Sequence, residues 1–122
     1  DDLPTDVARD LIGEARLLGR STHTLDDVRR ADTEACDYLG LGPVHTTAVK
    51  PEKAAIGPVR LQDAQALTRL PVFAIGGIEL KNITALLDVG CRRVAVIGAI
   101  MAAENPESAS QQLLQALLPP VD

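Results

Sequence analysis

Ser21 and His23 in GRSTH, the run His45, Thr46, Thr47 and Lys50, the pair Gly76-Gly77, and Gly98 are the residues whose types suit chemistry. A lysine beside hydroxyl groups suits a phosphate oxygen: the ammonium supplies charge and donors, and threonine adds neutral donors. Glycines that open a helix let backbone amides approach an anion closely. Each residue has a plainer role when taken singly. A glycine serves a tight turn, a lysine is solvated surface, and a histidine closing a strand bonds to the next loop. Two glycine turns in consecutive units beside a Lys-bearing loop favour phosphate binding. His23 and His45 stay open between a general base and a structural role. Neither turn has the P-loop or dinucleotide spacing, so no nucleotide cofactor is expected. Two histidines without a nearby acid at ligand spacing make no zinc site. Cys36 and Cys91 each precede an apolar segment where a small buried residue would serve, and inert burial is expected of both.

The elements that must position these residues follow from caps and periods. Asp2 or Thr5 is expected to cap a first helix that ends near Leu11, with Gly13 past its end. Leu17 and Leu18 suggest a short strand leading into GRSTH. Thr24, with Asp27 at the third helical position, caps a second helix whose inward stripe is Val28, Ala31 and Ala35. A second strand is expected at 38–41, stopped by Gly42 and Pro43. Residues 44–57 show no helical or strand period, and a loop of that length in a compact domain is usually functional. A third helix at roughly 61–70 leads through Pro71 to the strand VFAI. Another helix at roughly 82–89 ends at Gly90, a fourth strand occupies 94–97, and Asn105 with Pro106 opens a last helix that Pro119 and Pro120 stop.

A chain of 122 residues has room for one domain, and 46% hydrophobic with 24% charged residues reads as ordinary and globular. Tyr38 and Phe73 are the only aromatics and the net charge is −5, which excludes a basic, ring-lined nucleic-acid surface. The core must therefore be aliphatic, as in a parallel sheet with helices over both faces. Strands alternating with helices make such a sheet, either a small doubly wound one or an arc of a β/α barrel. In both, the residues just after each strand share the carboxyl-end rim where α/β sites lie. Ser21, His23, the 45–50 stretch, Gly76-Gly77 and Gly98 all fall there, and the opposite turns offer little that converges. No apolar run nears the ~20 residues of a membrane span, and Asp1-Asp2 is not the basic start of a signal peptide. Two cysteines without close spacing fit a reducing cytoplasm.

GRSTHT, DYLGLGPV with its Thr- and Lys-bearing loop, PVFAIGGI and RVAVIGAI resemble, in order and spacing, the C-terminal half of the thiamine phosphate synthase family. The resemblance covers nearly the whole chain. It implies an α/β fold, the C-terminal half of a TIM (β/α)8 barrel with four parallel strands, so that residues 1–122 form a single partial domain. The family is a transferase of thiamine biosynthesis. It joins hydroxymethylpyrimidine diphosphate to a thiazole phosphate, with Mg²⁺, and releases diphosphate.

By the same resemblance Lys50 and Ser21 are expected to bind the pyrimidine diphosphate and assist catalysis. Thr47, Gly77, Ile97 and Gly98 are expected to bind the thiazole phosphate, and Asp2 to be a Mg²⁺ ligand. The chain departs from the family pattern at Val49, where a threonine is usual, and at Gly98, where a serine is usual. The family's N-terminal half carries a basic diphosphate-binding strand, an asparagine and another Mg²⁺ aspartate. The 122 residues alone are therefore expected to be inactive, and to pair with that half or to self-associate. Thiazole tautomerases share the fold but tend to carry histidine where Pro43 stands, which ranks that resemblance second. A non-catalytic phosphate-binding half-barrel is the rival from another class.

Overall fold

Thr24 accepts a hydrogen bond from Asp27 N at 3.0 Å while the Asp27 carboxylate accepts from Thr24 N, and this capping box starts α2 (Leu25–Ala31). Asn105 Oδ1 does the same for α6 (Pro106–Leu117), accepting from Ser108 N at 3.0 Å with Pro106 in the first turn. The computed structural model describes residues 2–48 and 50–121, and both caps lie where local chemistry predicts them.

Between these helices run β1 (Gly19–Thr22), β2 (Tyr38–Leu41), α3 (Gly57–Leu67), β3 (Val72–Ile75), α4 (Thr84–Asp88), β4 (Val94–Ala95) and α5 (Gly98–Met101), all preceded by α1 (Thr5–Ile12). The strands pair in parallel in the order β1-β2-β3-β4, with Gly19 opposite Tyr38, Leu39 opposite Val72 and Ala74 opposite Val94. Strand order never reverses, so the sheet has no doubly wound switch point and forms an arc of a β/α barrel. No described helix is long and apolar enough to cross a membrane.

Burial alternates along the strands. Leu39, Leu41, Val72 and Ala74 are buried on one face against Val28, Ala31, Leu61, Ala64 and Leu86 of the helices. Each large aliphatic side chain there contributes about 1.5–3 kcal/mol of transfer free energy. Ser21, Ile75 and Ala95 are exposed on the other face, with Gly40 and Phe73 partly covered. The expectation of helices over both faces is thus corrected: the aliphatic content fills one layer, and the second face stays open as a barrel's inner face would.

Several expected boundaries move. Pro4 takes the first cap position with no side-chain bond, and Thr5 is already helical, so its hydroxyl bonds the Glu34 carboxylate instead. The first strand is GRST, two residues later than the apolar pair suggests, and Leu17 is 80% exposed. Pairing with β2 fixes that strand, and apolarity does not. Ala35 falls beyond α2 and is exposed, so Cys36 completes the buried stripe. α3 starts a turn earlier than expected and stops at Leu67, while β4 is only two residues because the backbone turns into α5 at Gly98. Arg9 of α1 is buried. Its guanidinium donates to Ala35 O, Arg16 O and Asp37 Oδ2, at 2.9, 2.8 and 2.7 Å, and so fastens α1 to the turn before β2.

Candidate active site

Beyond Leu41 the chain keeps following β3 without forming a regular strand. Val44 N donates to Ile75 O at 2.8 Å and His45 N to Gly76 O at 3.1 Å. The far end of the loop returns to the same place, with Ile56 N on Pro43 O at 2.9 Å and Gly57 N on Val44 O at 3.0 Å. These bonds close the polar loop into a flap whose base is fixed to β3 and whose tip carries Thr47, Lys50 and Lys53. Thr47 Oγ1 accepts from Lys50 N at 3.2 Å, a local turn that holds the two residues near each other. Val49, at the family's threonine position, lies outside the described residues.

The turn after β3 meets this flap. Gly76 and Gly77 have φ of +103° and +63°, and a Cβ on Gly76 would stop 2.6 Å from Pro43. Only glycine fits both the backbone angle and the contact. Asn82 closes the turn from the other side, donating to Gly77 O at 2.8 Å and accepting from Glu79 N at 2.9 Å. This asparagine was missed as a site residue in the sequence. Its signal was an Asx residue five positions after the glycine, before a helix.

A pocket of about 560 Å³ opens at the carboxyl end of the strands, and Ser21, Thr47, Lys50, Gly77, Ile97 and Gly98 all line it. Six of the seven residues singled out by resemblance therefore share one cavity. Gly98 has nothing within 4 Å of where a Cβ would stand. It opens α5, so the first amides there have no partner within the helix. Lys53 and Lys81 also line the pocket, and Glu79 is its single acid among the described lining residues. Lys81 Nζ sits 2.9 Å from Glu79 Oε2, whereas neither Lys50 nor Lys53 is ion-paired among the described residues. A chain of net charge −5 thus presents a locally cationic pocket, the polarity an anionic substrate needs.

Both histidines line the pocket in different states. His23 Nδ1 lies 2.8 Å from Gly42 O, the strand-closing bond expected of it. His45 Nε2 is buried without a partner among the described residues. The cysteines are inert by setting: both are buried, and burial pushes both thiols up from their usual range.

Asp2 stands apart. It is exposed, precedes α1, and is not among the pocket-lining residues. No group of three His, Cys, Asp or Glu among the described residues is placed to hold a metal ion. Magnesium uses one or two carboxylates with substrate phosphates. The described residues do not make a metal centre by themselves.

Comparison with known proteins agrees with this arrangement. The family model described as thiamine monophosphate synthase matches residues 1–100. The thiamine-phosphate synthase of Parasynechococcus marenigrum is 66% identical over 120 residues, covering 98% of this chain and 34% of that protein. That of Thermosynechococcus vestitus is 46% identical over 116 residues, 95% of this chain and 33% of that protein. Among solved structures, thiamine phosphate pyrophosphorylase from Pyrococcus furiosus superposes with a TM-score of 0.86 at 31% identity, over 98% of this chain and 58% of that one. The chain spans about a third of the length of these curated relatives. With the family model matching most of its length, the chain belongs to the thiamine monophosphate synthase family.

Proposed function

We propose that this chain supplies the phosphate-binding part of a thiamine phosphate synthase active site. The observation that carries the reading is the convergence of Ser21, Thr47, Lys50, Gly77, Ile97 and Gly98 on one cationic pocket in an acidic chain. In the proposed reaction the thiazole nitrogen attacks the pyrimidine methylene carbon. A C–N bond forms, the C–O bond breaks, and diphosphate leaves with the electron pair. The carbon is carbocation-like and no protein nucleophile is needed, which suits the two inert cysteines.

Lys50 and Ser21 are proposed to hold the diphosphate, Lys50 giving a charge that gains most as the leaving group separates. Thr47 and the backbone at Gly77, Ile97 and Gly98 are proposed to hold the thiazole phosphate, where free amides and the absence of a Cβ favour an anion. Asp2 is proposed as one carboxylate of a Mg²⁺ shell, completed by the diphosphate and by residues outside these 122, which together form one partial domain. Magnesium would neutralise charge that builds on the diphosphate. The rest of the barrel is proposed to come from another segment or from a second copy of the chain. A cytoplasmic setting is proposed as well, since reduced cysteines suit it.

A chimera tests this reading. These 122 residues would replace the matching third of the Parasynechococcus marenigrum thiamine-phosphate synthase, and product would be assayed with both substrates and Mg²⁺. Thiamine phosphate and diphosphate formed in equal amounts would support it. A folded chimera that makes neither would contradict it.

A further inference from the structure

His23 is a pocket residue to which the reaction outlined above gives no role, and two hydrogen bonds hold it in place. Its backbone N donates to Asp27 Oδ2 at 2.9 Å, and its ring Nδ1 lies 2.8 Å from Gly42 O. A carbonyl oxygen only accepts, so Nδ1 is the protonated nitrogen and the tautomer is set. The ring is fixed at one end by the chain beyond β2, and Nε2 is its remaining functional atom. The residue is exposed and lines the pocket two positions after Ser21.

The surroundings favour an anion at Nε2. Asp27, the carboxylate bonded to the His23 backbone, is already engaged by Thr24 N and by Arg30. Lys50, Lys53 and His45 face the same cavity, and Glu79, the acidic residue lining it, is bound by Lys81. His45 contrasts with His23, because its Nε2 is buried and no described residue bonds it. Of the two histidines only His23 combines a fixed tautomer with exposure to the cavity.

We propose that His23 is a diphosphate-binding residue: Nε2–H donates to a diphosphate oxygen while Nδ1–H stays on Gly42 O. The proposal rests on reading the Ser21–Lys50 side of the pocket as the diphosphate site. With both nitrogens donating, the ring takes one proton from the hydrogen diphosphate anion or from solvent as the anion binds, and it then adds a positive charge on the β1 side of the leaving group. Carbonyl-fixed imidazoles of this kind are oriented by one nitrogen so that the other can act.

The test uses the chimera described above, whose barrel is complete, with inorganic diphosphate at about pH 8, where an ordinary imidazole is neutral. Imidazole ¹⁵N spectra should show His23 Nε2 change from a lone-pair nitrogen to N–H on adding diphosphate, with Nδ1 remaining N–H. His23→Asn keeps a donor for Gly42 O and removes only the Nε2 end, so it should weaken diphosphate binding about tenfold or more. A residue that merely anchors the loop would leave affinity unchanged in His23→Asn, and that result would overturn the proposal. Lys50→Ala separates the two readings. If it weakens binding while His23→Asn does not, His23 alone is wrongly assigned. If neither variant matters, or no diphosphate binds, the pocket reading fails and this inference with it.

Discussion

A Cβ on Gly77 would lie 2.7 Å from the carbonyl oxygen of Thr46, so the turn after β3 and the flap after β2 meet with no room for a side chain between them. Gly77 also has φ +63°, where an alanine is strained. Gly77→Ala should therefore destabilise the fold by about 1–3 kcal/mol and displace the flap that carries Thr47 and Lys50. Urea unfolding would show a lowered midpoint, and the chimera would show a raised KM for thiazole phosphate. Unchanged values of both would mean that the flap and the turn are not coupled.

Gly98→Ser should behave in the opposite way. Open space surrounds the position, so a serine side chain there meets no neighbour. Stability should change by no more than about 0.5 kcal/mol, and turnover of the chimera should persist. Lost turnover with an intact fold would move the phosphate site away from Gly98.

How far the sequence led depended on whether a feature was local. Thr24 with Asp27, and Asn105 with Pro106, set helix starts by contacts three residues apart, so their types and spacing were enough. Gly76-Gly77 and the 44–57 loop were legible because no regular element accommodates them. Leu17 and Leu18 misled, because β1 is fixed by pairing to Tyr38–Leu41 and by an Arg20–Glu34 ion pair, both of them distant in sequence. Thr5 was misread for the same reason, its partner Glu34 being 29 residues away. The six pocket residues were legible through the family motifs. Asn82 and the different fates of His23 and His45 needed the fold, since their partners or lack of them arise only when loops meet.

Acid should unfold the protein through its paired carboxylates. The Arg9 guanidinium and the Leu18 N–H hold the Asp37 carboxyl below its ordinary range, and Arg20 and Thr5 do the same for Glu34. A carboxylate whose folded pKa is depressed contributes stability above its unfolded value of about 4 and loses it as pH falls through the folded pKa. In that window the unfolded chain binds more protons, so stability rises with pH. Denaturation midpoints should be flat near neutrality and fall below about pH 4, and Asp37→Asn should flatten that fall. An equally steep fall in Asp37→Asn would remove the Arg9–Asp37 pair from the account.

The open sheet face should make the isolated 122 residues associate. Ile75 and Ile97 are 38% and 65% exposed, and β1 and β4 each lack a second neighbour among the described strands. Apolar surface beside unpaired strand edges favours self-association. Light scattering should give a mass above the monomer's 12.9 kDa. A stable monomer at high concentration would show that this face tolerates water.

Turnover by Lys50→Ala in the chimera tests the central claim most directly. Among the described residues Lys50 has no ion-pair partner, it lines the pocket where the proposed phosphate-binding residues meet, and its proposed contact strengthens as diphosphate departs. Removing it should cost about 2–4 kcal/mol of transition-state stabilisation, a roughly 30- to 1,000-fold loss of turnover with the fold intact. Turnover within about twofold of the parent chimera would contradict the account, because a pocket that binds the leaving diphosphate through Lys50 must lose rate when that charge is gone.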